Sequence, residues 1–165
     1  MNSSLKQKAQ KIKLLITDCD GVLTDSCVYY SAKGEELKKF SLRDGMGVER
    51  LRTLCNIDSG IMTRENSEIV TRRSEKLKMK HYYPGVFNKK EKLLEILKAN
   101  SLTAEEIAYI GDDENDREVL EMVGLSACPS DAVGSIPKCI HYHCQKPGGF
   151  GAFREFAELI IELRK

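Results

Sequence analysis

One stretch constrains this chain more than any other: KLLITDCDGVLTD, at positions 13–25. It opens with the aliphatic run LLI, and a short apolar run that ends at a glycine-containing turn is typical of a buried strand. Asp18 and Asp20 follow where that strand should end. In open α/β sheets, chemically active groups gather at the carboxyl ends of the strands. The stretch therefore predicts a buried strand that delivers two carboxylates to one edge of a sheet.

The close spacing of these two acids points to chemistry. Two neighbouring carboxylates cannot both ionise cheaply without a positive charge beside them, and hard oxygen ligands suit Mg²⁺. Asp18 is a candidate nucleophile toward phosphorus. Asp20 is a candidate acid that protonates the leaving oxygen and then a base that activates water. The alternative is a structural turn, in which aspartate is common.

Length and composition limit the class of protein. The chain has 165 residues, enough for one domain with its own core, so residues 1–165 are expected to form a single domain. The net charge of +1 predicts no nucleic-acid partner. No apolar run approaches the ~20 residues of a membrane span, and the start MNSSLKQKAQ lacks the apolar part of a signal peptide. We expect a cytoplasmic protein without a membrane partner.

The six cysteines contain no C-x-x-C pair, which disfavours a zinc site and favours reduced, mostly buried thiols. Strand-like and helix-like segments alternate along the chain, which predicts a doubly wound, mainly parallel α/β sheet of the Rossmann-like type. The predicted strands are 13–17, 57–62, 81–83, 107–110, 125–128 and 140–143, and the predicted helices are 44–55, 67–78, 89–100, 116–123 and 154–163.

Two segments fall outside this alternation. Residues 27–41 contain two β-prone runs around a glycine turn, which predicts a β-hairpin inserted as a flap beside the site. Residues 1–11 are expected to be a frayed or helical lead-in.

A second acidic segment, GDDEND at 111–116, follows another apolar run. Asp112 is a candidate third ligand for Mg²⁺, with Asp113 or Asp116 supporting it from behind. The alternative is an ordinary solvated acidic loop.

Two further residues suggest a phosphate site. Thr63 ends a third apolar run, where its hydroxyl can hold a phosphoryl oxygen or cap the next helix. Lys89 opens a predicted helix, where the macrodipole disfavours a cation. An anion near Lys89, such as a phosphoryl group or the nucleophile, would explain that position.

In order along the chain, these residues resemble the four motifs of the haloacid dehalogenase superfamily of phosphohydrolases. The resemblance implies Asp18 as nucleophile and Asp20 as acid and base. It implies Mg²⁺ on Asp18, on the backbone carbonyl of Asp20 and on Asp112, with the phosphate held by Thr63 and Lys89.

A smaller subgroup is also suggested. The paired Asp112-Asp113, the early hairpin and the tail GGFGAFRE at 148–155 are similar to the phosphatases of 3-deoxy-manno-octulosonate 8-phosphate and of nonulosonate 9-phosphates. That subgroup has no cap domain, and its hairpin and the neighbouring subunits of a homotetramer screen the site. From composition alone, the tail is otherwise a flexible loop.

The sugar is suggested by the residues after Thr63. Octulosonate enzymes typically continue with Gly-Arg, whereas this chain continues with Arg64 and Glu65. The nonulosonate type (KDN or N-acylneuraminate) is more similar, with Glu65 accepting sugar hydroxyls and Arg73 and Lys76 binding the carboxylate. A solvated basic helix face is the alternative for that pair. We expect a nonulosonate 9-phosphate, with the octulosonate 8-phosphate of lipopolysaccharide synthesis as the alternative.

Two other classes of protein carry similar motifs: a phosphate-accepting signalling domain and a catalytically silent scaffold. An acid two residues after the nucleophile favours rapid turnover over signalling. The complete set of Asp18, Asp20, Lys89 and Asp112 favours an enzyme over a scaffold.

Overall fold

A six-stranded parallel sheet forms the centre of the molecule. The computed structural model describes residues 3–165. Across the sheet, the strands follow the order 81–83, 58–62, 14–17, 107–110, 125–128 and 142–143. The doubly wound α/β fold predicted from the sequence is confirmed. The strands are β1 Leu14–Thr17, β4 Asp58–Met62, β5 His81–Tyr83, β6 Ile107–Ile110, β7 Leu125–Cys128 and β8 Tyr142–His143.

Helices cover both faces of this sheet, because β1 is apolar on both sides. Leu15 points into a core shared with the helices at 3–11, 42–55, 68–76 and 152–163. Leu14 and Ile16 point into a second core shared with the helices at 89–100 and 117–122. None of the helices within residues 3–165 has the length and apolar character that a bilayer span requires. The helices are α1 Ser3–Lys11, α2 Leu42–Cys55, α3 Glu68–Lys76, α4 Lys89–Asn100, α5 Arg117–Met122 and α6 Ala152–Leu163.

The predicted element bounds hold where local signals are strong. The segments 89–100, 107–110 and 125–128 have the predicted bounds. Helix α2 begins two residues earlier than predicted, because the Ser41 side chain accepts hydrogen bonds from the backbone of Arg43 and Asp44. Helix α5 begins one residue late, because residues 114–116 form a 3₁₀ turn. The lead-in is helical from Ser3, and residues 1 and 2 lie outside the described residues.

The predicted flap is present between β1 and α2. Strands β2 Tyr29–Ser31 and β3 Gly34–Leu37 pair antiparallel and form a sheet of their own, called here the hairpin. Its strands are shorter than the predicted 27–41. Tyr29, Tyr30 and Leu37 are exposed on it. No cap domain follows β1 among residues 3–165, as predicted.

The glycine-rich tail packs against the loop that follows β1. The Gly149 amide donates a hydrogen bond to the Val22 carbonyl at 2.9 Å. A Cβ on Gly148 would lie 1.9 Å from the Gly21 carbonyl oxygen, so only glycine fits this approach. The alternative of a loose tail is therefore wrong for residues 148 and 149, which support the loop between Asp18 and Asp25.

We predict that Gly148→Ala destabilises the protein by about 1–3 kcal/mol, because the added methyl group forces two backbone segments apart. Gly134→Ala is the matched control, since a Cβ there meets nothing within 4 Å. Urea unfolding of both variants measures the difference in free energy of unfolding. Equal midpoints for the two variants would contradict the close packing.

Candidate active site

The carboxyl ends of β1, β4 and β6 meet at one edge of the sheet. Thr17 lies in register with Ile61 on β4 and with Ile110 on β6, so the residues that follow these strands converge. They line a cleft of about 280 Å³. The cleft residues are Asp18, Asp20, Ser26, Thr63, Arg64, Glu65, Asp112, Asp113 and Asn115.

Lys89 joins two carboxylates beneath this cleft. Its Nζ lies 3.0 Å from Asp18 Oδ1 and 2.6 Å from Asp116 Oδ1, and all three side chains are at least nine-tenths buried. Burial acts to lower the pKa of Lys89, but the charges of Asp18 and Asp116 outweigh it and raise the pKa. Lys89 therefore stays an ammonium group. The position of Lys89 at the start of a helix predicted an anion nearby, and the carboxylates of Asp18 and Asp116 lie there.

Asp116 organises the loop after β6. Its Oδ1 accepts hydrogen bonds from Lys89 and from the Tyr109 hydroxyl, and its Oδ2 accepts from the backbone amides of Asp112 and Asp113. The side chain of Asp113 instead accepts from the Glu114 amide. Of the two residues predicted to support Asp112, Asp116 contacts it directly, whereas the Asp113 amide donates to Asp116.

Three carboxylates form the acidic cluster: Asp18, Asp112 and Asp116 offer oxygens within 4.8 Å of one another. Burial, followed by the charge of Asp116, raises the pKa of Asp18 to about 7. Burial, followed by the charges of Asp18 and Asp116, raises the pKa of Asp112 to about 8.

These residues fit a divalent cation. Asp112 Oδ1 is buried and has no hydrogen-bond partner, a costly state that a metal ion would relieve. Both oxygens of Asp116 are already hydrogen-bonded, so Asp18 and Asp112 are the better side-chain ligands. Hard carboxylate oxygens suit Mg²⁺.

Asp20 lies apart from the acidic cluster. Its two carboxylate oxygens accept hydrogen bonds from Lys38 Nζ, each at 2.7 Å, and Oδ1 also accepts from the Thr24 hydroxyl at 3.1 Å. The contact of Lys38 with Asp20 was not predicted from the sequence. Lys38 lies in the segment after β3, and no local sequence pattern relates that segment to the loop after β1. The coordination of a metal by the Asp20 backbone carbonyl stays a prediction.

Thr63 and its neighbours form a second wall of the cleft. The Thr63 hydroxyl accepts a hydrogen bond from the Glu65 amide at 3.2 Å. The residue at the start of α3 is Ser67, so the alternative role of Thr63 as the helix cap is wrong. The guanidinium of Arg64 stacks 5.1 Å from the centre of the Phe87 ring. Thr63, Arg64 and Glu65 all line the cleft, where the sequence placed them.

Arg73 and Lys76, which the sequence suggested as ligands for a sugar carboxylate, lie outside the cleft. Arg73 donates a hydrogen bond to the Ser41 carbonyl at 2.9 Å and lies 5.4 Å from the centre of the Phe40 ring. Neither Arg73 nor Lys76 is among the residues that line the cleft. Arg73 instead faces the start of α2. The binding of a sugar carboxylate by Arg73 and Lys76 stays a prediction.

Fold and cleft together define a class of enzyme. A buried carboxylate held by a lysine, a cation site beside it and a further carboxylate at the mouth are the groups that phosphoryl transfer through a covalent intermediate needs.

Comparison with known proteins agrees. Residues 46–146 match the haloacid dehalogenase-like hydrolase family. The 3-deoxy-D-manno-octulosonate 8-phosphate phosphatase of Haemophilus influenzae is 35% identical over 96% of this chain and 87% of its own. The phosphatase of that name from Yersinia pestis superposes with a TM-score of 0.95 at 37% identity, covering 99% of this chain and 88% of its own.

A third relative was solved with ligands. The 3-deoxy-D-manno-octulosonate 8-phosphate phosphatase of Moraxella catarrhalis, in complex with magnesium, phosphate and KDO, has a TM-score of 0.95 and 32% identity. The match covers 99% of this chain and 94% of that one. This chain belongs to the haloacid dehalogenase-like hydrolase family. The prediction of a phosphoric monoester hydrolase is confirmed, which removes the signalling and scaffold alternatives.

We predict that the metal-free protein loses stability as pH rises. Asp18 and Asp112 keep protons in the fold at pH values where the unfolded chain has lost them, between 3.8 and about 8. The folded state binds more protons in that window, so the free energy of unfolding falls with rising pH. Mg²⁺ should restore stability, and more at about pH 8 than at about pH 5, because the ligands must be deprotonated.

The measurement is Tm against pH in EDTA and in Mg²⁺. Asp112→Asn is the control, since it removes the carboxylate with the larger shift and should flatten both responses. A wild-type Tm in EDTA that does not fall across the window would contradict the assignment.

Proposed function

We propose that this chain is a magnesium-dependent phosphatase that removes the phosphate from a phosphorylated 2-keto-3-deoxy sugar acid through an aspartyl phosphate on Asp18. The observation that carries the proposal is the buried Asp18 carboxylate. Lys89 Nζ lies 3.0 Å from it, and Asp112, which has an unpartnered buried oxygen, lies in the same acidic cluster. The magnesium cofactor predicted from the sequence is confirmed by this cluster and by the magnesium in the solved relative.

The first half-reaction forms the covalent intermediate. An Asp18 oxygen attacks phosphorus, the bond from phosphorus to the sugar oxygen breaks, and that oxygen takes a proton from Asp20. Lys89 and the Thr63 hydroxyl hold phosphoryl oxygens. A magnesium ion on Asp18 and Asp112, when bound, supplies positive charge that offsets the carboxylates beside the phosphate.

The second half-reaction regenerates the enzyme. A water oxygen attacks phosphorus, the water gives a proton to Asp20, and the bond from phosphorus to Asp18 breaks. Inorganic phosphate leaves, and Asp18 and Asp20 return to their starting forms.

We expect Asp18→Asn to abolish turnover of phosphate esters while the protein stays folded, because an amide oxygen is a poor nucleophile. The measurement is phosphate release with Mg²⁺. Asp58→Asn, at the start of β4, is the matched control and should keep wild-type activity. A folded Asp18→Asn protein with normal turnover would refute the nucleophile assignment.

The first candidate substrate is 3-deoxy-manno-octulosonate 8-phosphate. Support comes from the names of the curated relatives, which are 35–39% identical in sequence. It also comes from the 32% identical relative that was solved with KDO. This is the alternative that the sequence left open, and the relatives favour it over the nine-carbon sugar.

A nonulosonate 9-phosphate is the second candidate, and one feature of the cleft favours it. Glu65 lines the cleft directly after Arg64, where it can accept hydrogen bonds from the hydroxyl groups of a longer sugar. The chemistry at phosphorus is the same for both sugars, so contacts of this kind decide the preference.

We predict a higher kcat/KM for the octulosonate phosphate than for the nonulosonate phosphate, and a sugar-specific role for Glu65. Glu65→Ala should lower kcat/KM for the preferred sugar by about 1–3 kcal/mol of transition-state stabilisation, because a charged contact is lost. Hydrolysis of a small generic ester should change little. A reversed preference would support the second candidate, and an equal loss for all esters would remove Glu65 from sugar recognition.

We also infer a cytoplasmic homotetramer. The three exposed apolar side chains of the hairpin give a surface that a neighbouring subunit can cover. All six cysteines are free thiols, which suits a reducing compartment. An assembly would also let Arg73 and Lys76 act at a neighbouring site.

A further inference from the structure

Lys38 is an unusual residue for an exposed flap. Its side chain is only 3% exposed, although the hairpin beside it carries exposed tyrosines. Buried lysines are rare, because the ammonium group loses its hydration unless a partner replaces it. Here the partner is Asp20, whose two carboxylate oxygens both lie 2.7 Å from Lys38 Nζ.

Other groups hold Lys38 in turn. Glu35 on β3 lies 3.6 Å from Lys38 Nζ and accepts a hydrogen bond of 2.5 Å from the Ser67 hydroxyl at the start of α3. The chain of contacts therefore runs from α3 through Glu35 and Lys38 to Asp20. It connects the start of α3 with the loop after β1 through Glu35 of the hairpin.

The geometry constrains the orientation of Asp20. With both oxygens on one ammonium group and Oδ1 also on the Thr24 hydroxyl, the carboxylate cannot rotate without losing hydrogen bonds. A base that takes a proton from water must be held within hydrogen-bond reach of that water. The neighbouring Lys39 makes no such contact, since it pairs with Asp25 and is 48% exposed.

We propose that Lys38 is a positioning residue, which holds the Asp20 carboxylate in the orientation that accepts a proton from the attacking water. The proposal rests on the proposed function. It gives the hairpin a role in the second half-reaction, besides any role in screening the site.

The test separates the two half-reactions with p-nitrophenyl phosphate. Its leaving group needs no proton, so formation of the aspartyl phosphate does not depend on Asp20. Lys38→Met should lower kcat by roughly ten- to hundredfold, because a misplaced Asp20 loses part of the rate enhancement that acid–base catalysis provides. An acid quench should trap more phosphoenzyme than in wild type, because its hydrolysis is the slowed step. Lys38→Arg should restore part of kcat, since it can donate to both oxygens.

Lys39→Met is the matched control on the same segment and should keep wild-type kcat. Unchanged kcat in Lys38→Met, a rise in KM alone, or an equal loss in Lys39→Met would overturn the proposal. If Lys38→Met does not fold, Glu35→Gln loosens the same lysine, and a wild-type kcat in that variant would overturn it too. An inactive wild type would instead defeat the proposed function, which keeps the two failures distinct.

Discussion

The site depends on one buried interaction, the contact of the Lys89 ammonium group with Asp18 and Asp116. An ammonium group and two carboxyl groups in a desolvated position are stable only while each has its partners, and losing one leaves a buried group without compensation. Asp116 completes the arrangement by accepting hydrogen bonds from the Tyr109 hydroxyl and from two backbone amides. The same contacts that stabilise Lys89 therefore also shape the loop that presents Asp112.

Close backbone packing keeps this arrangement in place. Gly21 has a φ of +97°, and a Cβ there would lie 1.9 Å from an Asp112 oxygen, so the loops after β1 and β6 approach only through glycine. The tail adds Gly148, which packs against the Gly21 carbonyl. Lys38, in the segment that follows the hairpin, contacts Asp20. Segments distant in sequence therefore position Asp20 and Asp112.

Much of this was predictable from local patterns. The apolar run before Asp18 predicts β1, and the misplaced charge of Lys89 predicts an anion nearby, because both signals lie within a few residues. The contact of Lys38 with Asp20 spans 18 residues and a hairpin whose orientation no pattern specifies. Arg73 and Lys76 were placed in the site by their spacing, but spacing does not decide which neighbour a helix face meets. Gly148 was noticed as part of a motif, whereas its contact with Gly21 required the fold.

In the proposed reaction, Asp18 carries the phosphoryl group during turnover. The most direct measurement is an acid quench of wild type with Mg²⁺ and a phosphate ester, followed by mass spectrometry of the peptide that contains Asp18. We expect a phosphoryl group on Asp18 that is present during turnover and lost once the ester is exhausted. Trapped phosphate on another residue would contradict it. The assignment would also be contradicted if wild type turned over rapidly without detectable phosphoenzyme and the Lys38→Met variant, in which its hydrolysis should be slow, accumulated none.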